Sequence, residues 1–393
     1  MNHTLTRPAR TAPRGARPPW RSAFTLVEML VVVTIIIIII LIAVPAFQAM
    51  LYSNSRIQAE EGMKTGLALG RDAAIRAGQG QDAAAVFIYE PGSGLKIVAC
   101  QKIGTIEDID LNRSGPAQFV QREVFVPVTA FEPVSLPRNW VVRGYATAGA
   151  VDASWYETSS GLTRYTQGAS AWVFPETGFF DADLTGQASD AYNRQTFMVR
   201  FEGGTGAVSP AAPHAALVIY PRDSRLNRTA NPVIATTPAL RLDTAQDILR
   251  TAQRIMTDRL TVTTEADRRK LLGEQSGDCI LVKPVTQLAL HDETRLAAAL
   301  GIRINPVTGC IYAGGKSPLF VQPTTTGGSS QPVTGQRIGQ WIEGDTNFDG
   351  QFVFGSETNG RIDEPQAKLY ILNRFLGTAR QIALQPGQNG VTP

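Results

Sequence analysis

Thirteen consecutive residues near the C-terminal end carry the clearest coordination chemistry: Asp345-Thr-Asn347-Phe-Asp349-Gly350-Gln351-Phe-Val353-Phe-Gly-Ser356-Glu357. Side-chain oxygens at loop positions 1, 3 and 5, glycine at 6 for a sharp turn and a backbone carbonyl at 7 are what calcium asks of EF-hand-like loops. The twelfth position is Ser356. Closure by a bidentate carboxylate therefore falls to Glu357, one step late, or to Asp363 through a longer loop. The candidate ligand set is Asp345, Asn347, Asp349, Gln351, Glu357 and Asp363, and the candidate cofactor is calcium. A surface loop rich in Asx turns, holding no metal, is the competing reading.

A second residue out of place is Glu28. No charged residue occurs from Met29 to Ser55, and the centre of that stretch runs Leu30-Val-Val-Val-Thr-Ile-Ile-Ile-Ile-Ile-Ile-Leu-Ile-Ala-Val44. An ionisable group at the start of such a segment is costly unless paired, and points to function. Three cysteines (Cys100, Cys279, Cys310) lack any CxxC spacing, so zinc and dithiol redox chemistry are not indicated. In an oxidising compartment Cys279 and Cys310 would close a loop of about 30 residues, contributing ~3 to 4 kcal/mol on the chain-entropy model. Other pairings stay open. Cys100, at the end of a predicted strand, reads as a small buried apolar residue.

Enzymatic chemistry has little support. Beyond the first 23 residues the histidines are His214, read as a surface-loop residue, and His291, read as a helix-entry residue beside Asp292. Neither belongs to an HExxH arrangement, and there is no GxSxG elbow or phosphate-binding GxxxxGK[ST] loop. The expectation is a protein without catalytic activity.

The elements that hold these groups follow from charge and periodicity. The chain has 393 residues, 43% hydrophobic and 18% charged, which excludes an intrinsically disordered chain. Its formal charge of +3 is unevenly placed: residues 1–23 hold five arginines (Arg7, Arg10, Arg14, Arg17, Arg21) and no acid or lysine. The remaining 370 residues carry 32 basic and 34 acidic side chains, so no basic surplus is left for nucleic acid. The apolar run can cross a bilayer, since about 20 apolar residues span its ~30 Å hydrocarbon layer. It is longer than the 7 to 15 residues typical of a secretory signal. The leading arginines stay cytoplasmic under the positive-inside rule and place Tyr52 onward on the other side.

The string Arg21-Ser-Ala-Phe24-Thr-Leu-Val-Glu28-Met-Leu, followed by the isoleucine-rich span and Pro45, resembles the N-terminus of type IV pilins and type II secretion pseudopilins. The resemblance covers residues 21–47. It implies cleavage between Ala23 and Phe24 by the membrane prepilin peptidase, with Ala23 standing where the family most often has glycine. It further implies N-methylation of Phe24, an assembly role for Glu28 and a helix-kinking role for Pro45. Glu28 would pair with the Phe24 amine of an adjacent subunit, relieving an unpaired carboxylate in apolar surroundings. The implied partners are the peptidase, other pilin or pseudopilin subunits, the inner-membrane assembly platform and membrane lipid. The implied location is the inner membrane, single-pass, with a periplasmic C-terminal domain. Leu69-Gly-Arg-Asp72-Ala-Ala-Ile-Arg76, with the hairpin after it, is similar to H-type minor pseudopilins, with Asp72 where that class commonly has glutamate. The competing function is a membrane-anchored binding or adhesin domain that never polymerises.

Past the span, Met63, Leu67, Gly70 and Ala74 form an apolar stripe, and Gly78-Gln-Gly80 stops the helix. Helix over 24–77, with a membrane span at about 26–48, would reach ~80 Å at 1.5 Å per residue. Strands are expected at Ala84 to Glu90 and Leu95 to Gln101, joined by Pro91-Gly-Ser-Gly94, then at Arg122 to Val128, Trp140 to Tyr145, Ala171 to Pro175, Phe197 to Glu202 and Ala216 to Pro221. Helices are expected near 243–256 and at Asp292 to Leu300. The fold class read from this is α+β: a long hydrophobic N-terminal helix, part span and part amphipathic, packed on an antiparallel β-sheet head with a C-terminal α/β extension. The divisions are a leader at 1–23, the helix at 24–77, a β-rich head at 78–239, the extension at 240–322, a flexible linker at 323–340 and a C-terminal segment at 341–393.

Overall fold

The computed structural model describes residues 25–90, 94–109, 119–146, 171–173, 175, 195–209, 215–219, 279–300, 334–345, 357–358, 361–362 and 366–382. These divide into two units, residues up to Asn54 and residues from Ser55 onward. One helix, α1 (Leu26–Ala77), supplies the described part of the first unit and continues into the second. It includes Pro45 and is long and apolar enough to cross a membrane. In its first half every apolar side chain from Leu26 to Leu51 that could line a core is exposed, for example Ile39 and Phe47.

In the second unit the helix changes character. Ala59, Met63, Gly66, Leu67, Gly70, Ala73 and Ala74 are buried, which includes all four residues of the predicted stripe. Gly62, Gly66 and Gly70 recur every four residues and so share one face. A methyl group added at Gly66 would lie 2.6 Å from Ile97, and one at Gly70 2.8 Å from the backbone nitrogen of Ala85. The absent side chains let the helix backbone approach the sheet closely. The helix stops where glycine takes over, at Gly78 with φ +83°. Its freed carbonyl at Ala74 accepts a hydrogen bond from the Gly204 amide at 2.9 Å.

The sheet against this helix is closed. Strands β1 (Ala83–Glu90), β2 (Gly94–Ile109), β3 (Phe119–Pro127), β7 (Gln195–Phe201), β8 (Ala216–Ile219) and β9 (Cys279–Pro284) hydrogen-bond in the ring β1-β7-β9-β8-β3-β2, and β2 returns to β1. Short β4 (Val134–Ser135) extends the edge of β2. Alternation along each strand fills the interior with Ala84, Val86, Ile88, Val98, Cys100, Phe125, Met198, Val218, Ile280 and Val282. The same inward rows end in charge. Arg200 bridges Asp82 at 2.9 Å and Glu123 at 2.7 Å, and Lys102 joins Glu123 at 2.6 Å.

The expected head was an antiparallel sheet. Instead β3 pairs with β8, and β7 with β9, in parallel, and the ring closes. Alternating apolar residues read identically for either strand direction, so periodicity could not distinguish them.

A second sheet is built from β5 (Trp140–Ala146), β6 (Ala171–Val173), β10 (Gln287–Asp292), β13 (Lys368–Leu372) and β14 (Ala379–Gln381). It is antiparallel throughout, in the order β14-β13-β10-β5-β6. Helices α2 (Glu293–Ala299) and α3 (Thr334–Glu343) cover one face, burying Trp172, Ala289, Leu296, Ile338, Trp341, Ile342 and Leu369. At Gly144 a methyl group would lie 2.7 Å from the Phe197 ring, so β5 lies close against barrel strand β7. Lys368 of β13 is ion-paired with Glu60 of α1. The C-terminal part of the helix thus touches both sheets.

Strands β9 and β10 come from the stretch read as a C-terminal extension. They enter the barrel between β7 and β8 and the second sheet between β13 and β5. Helix α3 begins at Thr334, inside the stretch read as a flexible linker. A two-stranded ribbon, β11 (Glu357–Thr358) with β12 (Arg361–Ile362), completes the described elements.

Candidate functional site

Three places hold the chemistry-bearing side chains. At the N-terminal end of α1, Thr25-Leu-Val-Glu28 forms a reciprocal capping box. The Glu28 Oε2 accepts from the Thr25 backbone amide at 3.1 Å and from its hydroxyl at 3.2 Å, and the Glu28 amide donates to Thr25 Oγ1 at 3.2 Å. The sequence dictates this arrangement: threonine three residues before glutamate, ahead of an apolar run, satisfies two otherwise orphaned amides. It also holds a carboxylate at the positive end of the helix dipole. Ala23 and Phe24 lie outside the described residues, so the expected cleavage point does too. Pro45 lies inside α1, where its missing N–H removes one backbone hydrogen bond.

The second place is the exit of α3. Asp345 is buried, its amide donating to the Gln340 carbonyl at 2.8 Å and its carboxylate accepting from the Gln340 side-chain amide at 3.0 Å. Two residues earlier, Glu343 accepts from Trp172 Nε1 at 3.1 Å. Burial pushes the Glu343 carboxyl up, the Trp172 hydrogen bond opposes this, and the charge of Asp345 adds to the rise. Asn347, Asp349, Gln351 and Asp363 lie outside the described residues, and Glu357 opens β11. Among the described residues no group of three or more His, Cys, Asp or Glu is gathered as a metal site.

The third place was not anticipated. Arg143, in the middle of β5, is fully buried with His291 of β10 and Glu293 of α2. Glu293 Oε1 accepts from Arg143 Nη2 at 3.1 Å, and its Oε2 lies 2.8 Å from His291 Nε2, which also lies 3.4 Å from Arg143 Nε. Burial raises the Glu293 carboxyl, but the Arg143 charge and the His291 hydrogen bond outweigh it and leave the group below the usual carboxylate range. The Trp341 ring meets His291 edge-on at 5.7 Å. His291 was expected at a helix entry, and Asp292 is indeed the N-cap of α2, accepting from the Thr294 amide at 2.9 Å. The imidazole itself, however, is core. The available signal was Arg143 within Trp140-Val-Val-Arg143-Gly-Tyr145, since an arginine among apolar strand residues requires a buried acid. Such a network joins β5 to β10 and α2, and holds the second sheet to its helical cover.

Cys100 is buried in the barrel, and burial pushes its thiol up, so it is inert as a nucleophile. Cys279 opens β9, while Cys310 and His214 lie outside the described residues, and the expected Cys279–Cys310 bridge with them.

No family model, no curated protein and no solved structure matches this chain.

Proposed function

We propose that this protein is a pseudopilin or minor pilin-like subunit. Prepilin peptidase cuts it between Ala23 and Phe24, Phe24 is methylated, and the N-terminal helix packs with those of sibling subunits in a type II secretion pseudopilus or a type IV pilus-like filament. The supporting observation is α1 itself: one half is an exposed apolar span with a carboxylate in its first turn, and the other half is packed on a folded body. Inner-membrane insertion with a periplasmic body, and recognition by the assembly platform, belong to the same proposal. Calcium at the Asp345 loop is a further part of it. The charge of buried Asp345 raises the carboxyl of half-buried Glu343, and a divalent cation would relieve that repulsion. Titration of the full chain in detergent should give heat and a raised melting temperature at millimolar calcium; no change at that concentration rejects the metal.

One observation favours the competing reading of a membrane-anchored binding domain: the capping box already gives Glu28 a role within its own chain. Glu28→Leu separates the two. A filament subunit keeps membrane insertion and loses incorporation into filaments when cross-linked assemblies are assayed, whereas normal incorporation contradicts the assembly role.

A further inference from the structure

Two contacts set the direction in which the second sheet runs along α1. At the start of the body, Trp140 Nε1 donates to the Ser55 hydroxyl at 3.2 Å. Further along the helix Glu60 meets Lys368, which lies opposite Leu290 and, across that strand, Val142. Strand β5 therefore rises along the helix from Trp140. The end of the sheet nearest Ser55 is made of the start of β5, the end of β10 and the start of α2. Backbone hydrogen bonds lock that end. Asp292 pairs with Trp140 in the ladder, the Glu293 amide donates to the Asn139 carbonyl at 2.9 Å, and the Trp140 amide donates to the Pro137 carbonyl at 3.1 Å.

Beside each of these contacts stands an exposed arginine: Arg56 on α1, Arg138 in the turn before β5 and Arg295 on α2. The neighbouring acids are occupied. Asp292 is buried and caps α2, and buried Glu293 holds Arg143. Glu60 and Glu61, about a turn beyond Arg56, are paired with Lys368 and Lys64. This end of the body thus presents three cations from three separate elements. It is also the end that the chain ties to the apolar span. Seven residues separate Ser55 from the end of the span near residue 48, so at no more than about 3.6 Å each they keep Ser55 within about 25 Å of the hydrocarbon edge, whatever path they take.

We propose that Arg56, Arg138 and Arg295 form a cationic collar that binds the anionic phospholipid headgroups of the membrane holding the span. The proposal rests on α1 crossing that membrane and not on assembly into a filament. The tether selects the occupant. A free anion or an acidic protein must be captured from solution, whereas the headgroups stand within reach of the collar at all times, so that weak contacts suffice. Guanidinium groups pair well with phosphate, and each basic side chain near an anionic leaflet strengthens its attraction about fivefold.

The test is arginine footprinting of the full chain in vesicles of phosphatidylcholine alone or with 30% phosphatidylglycerol, with phenylglyoxal as reagent and mass spectrometry as readout. Modification of Arg56, Arg138 and Arg295 should slow about fivefold or more when phosphatidylglycerol is present, and recover in high salt. Exposed Arg374 and Arg380, in and after the turn that packs on Arg71, are internal controls and should react equally in both. Arg138→Gln should weaken the protection of Arg56 and Arg295, and Arg380→Gln should not. A chain that stays inserted through an alkaline wash but reacts equally in the two kinds of vesicle overturns the collar alone. A chain stripped from both by that wash overturns the membrane reading and the collar with it. Protection that grows with protein density rather than with phosphatidylglycerol makes a neighbouring chain the occupant and also overturns the proposal.

Discussion

The anchor, residues 25–54, and the body, residues 55–382, share one helix but are built on opposite principles. In the apolar half the helix leaves every large apolar side chain from Leu26 to Leu51 exposed, so its isoleucines need only be apolar. In the body the same helix must fit: glycine at positions 62, 66 and 70 is set by the distance to Leu136, Ile97 and Ala85, respectively. An apolar span serves as a solvent-compatible rod, whereas a packed face tolerates little change of volume. Substitutions in the body should therefore register as stability, and those in the apolar half of the helix should leave the stability of the body unchanged.

The largest expected effect sharpens the body side. Glu293→Gln leaves Arg143 uncompensated in the core, and breaking a buried pair this way costs about 3 kcal/mol or more. Denaturant titration of the detergent-solubilised protein measures it, and an unchanged midpoint would remove this network from the account. The wild-type pair also predicts acid lability. The Glu293 carboxyl is raised by burial and lowered further by Arg143 and His291, and that of Glu60 is raised by burial and lowered further by Lys368 and Lys64. Both end below their unfolded value of 4.5. The stability they contribute is thus fully present above that pH and is lost as pH falls through the folded values.

Next comes Gly70→Leu, which drives a side chain into the backbone of Ala85 and should cost about 3 kcal/mol by overpacking. The same substitution type at Ala43, in the anchor, should leave the melting temperature of the body unchanged. Equal losses at both positions would break the contrast. Thr25→Val removes the capping hydroxyl and should weaken the first turn by about 1 kcal/mol, read as faster amide exchange at residues 26–28 with no change in the body.

The smallest effect has the opposite sign. Glu343 holds its proton more tightly when folded, chiefly through burial, so its contribution falls as pH rises through the folded value. Glu343→Gln keeps an acceptor for Trp172 and should raise the melting temperature at pH 7 by about 1 to 2 °C in the absence of calcium. A decrease would show that the carboxylate itself is needed there.

How much of this was legible in the chain depended on range. The end of α1 at Ala77, the turn joining β1 to β2 and the capped helix after Asp292 rest on local signals and lie within a few residues of their expectations, whereas β2 runs on to Ile109, well past the expected Gln101. Barrel closure did not show itself, because it depends on β9 arriving between β7 and β8 from about 80 residues further along the chain. Helix α3 went unread for a related reason: Thr334-Gly-Gln-Arg follows a glycine- and serine-rich stretch, and only Ile338, Trp341 and Ile342 mark its buried face. The Arg143–Glu293 pair joins residues 150 apart in sequence, which no spacing rule reaches.

The most direct measurement for the central claim is intact-mass and N-terminal peptide spectrometry of the protein extracted from the membrane of its own cells. A filament subunit of this kind shows a chain that begins at methylated Phe24, 23 residues shorter than the encoded sequence. A chain that still carries Arg7 to Arg21 contradicts processing, and with it the proposed function.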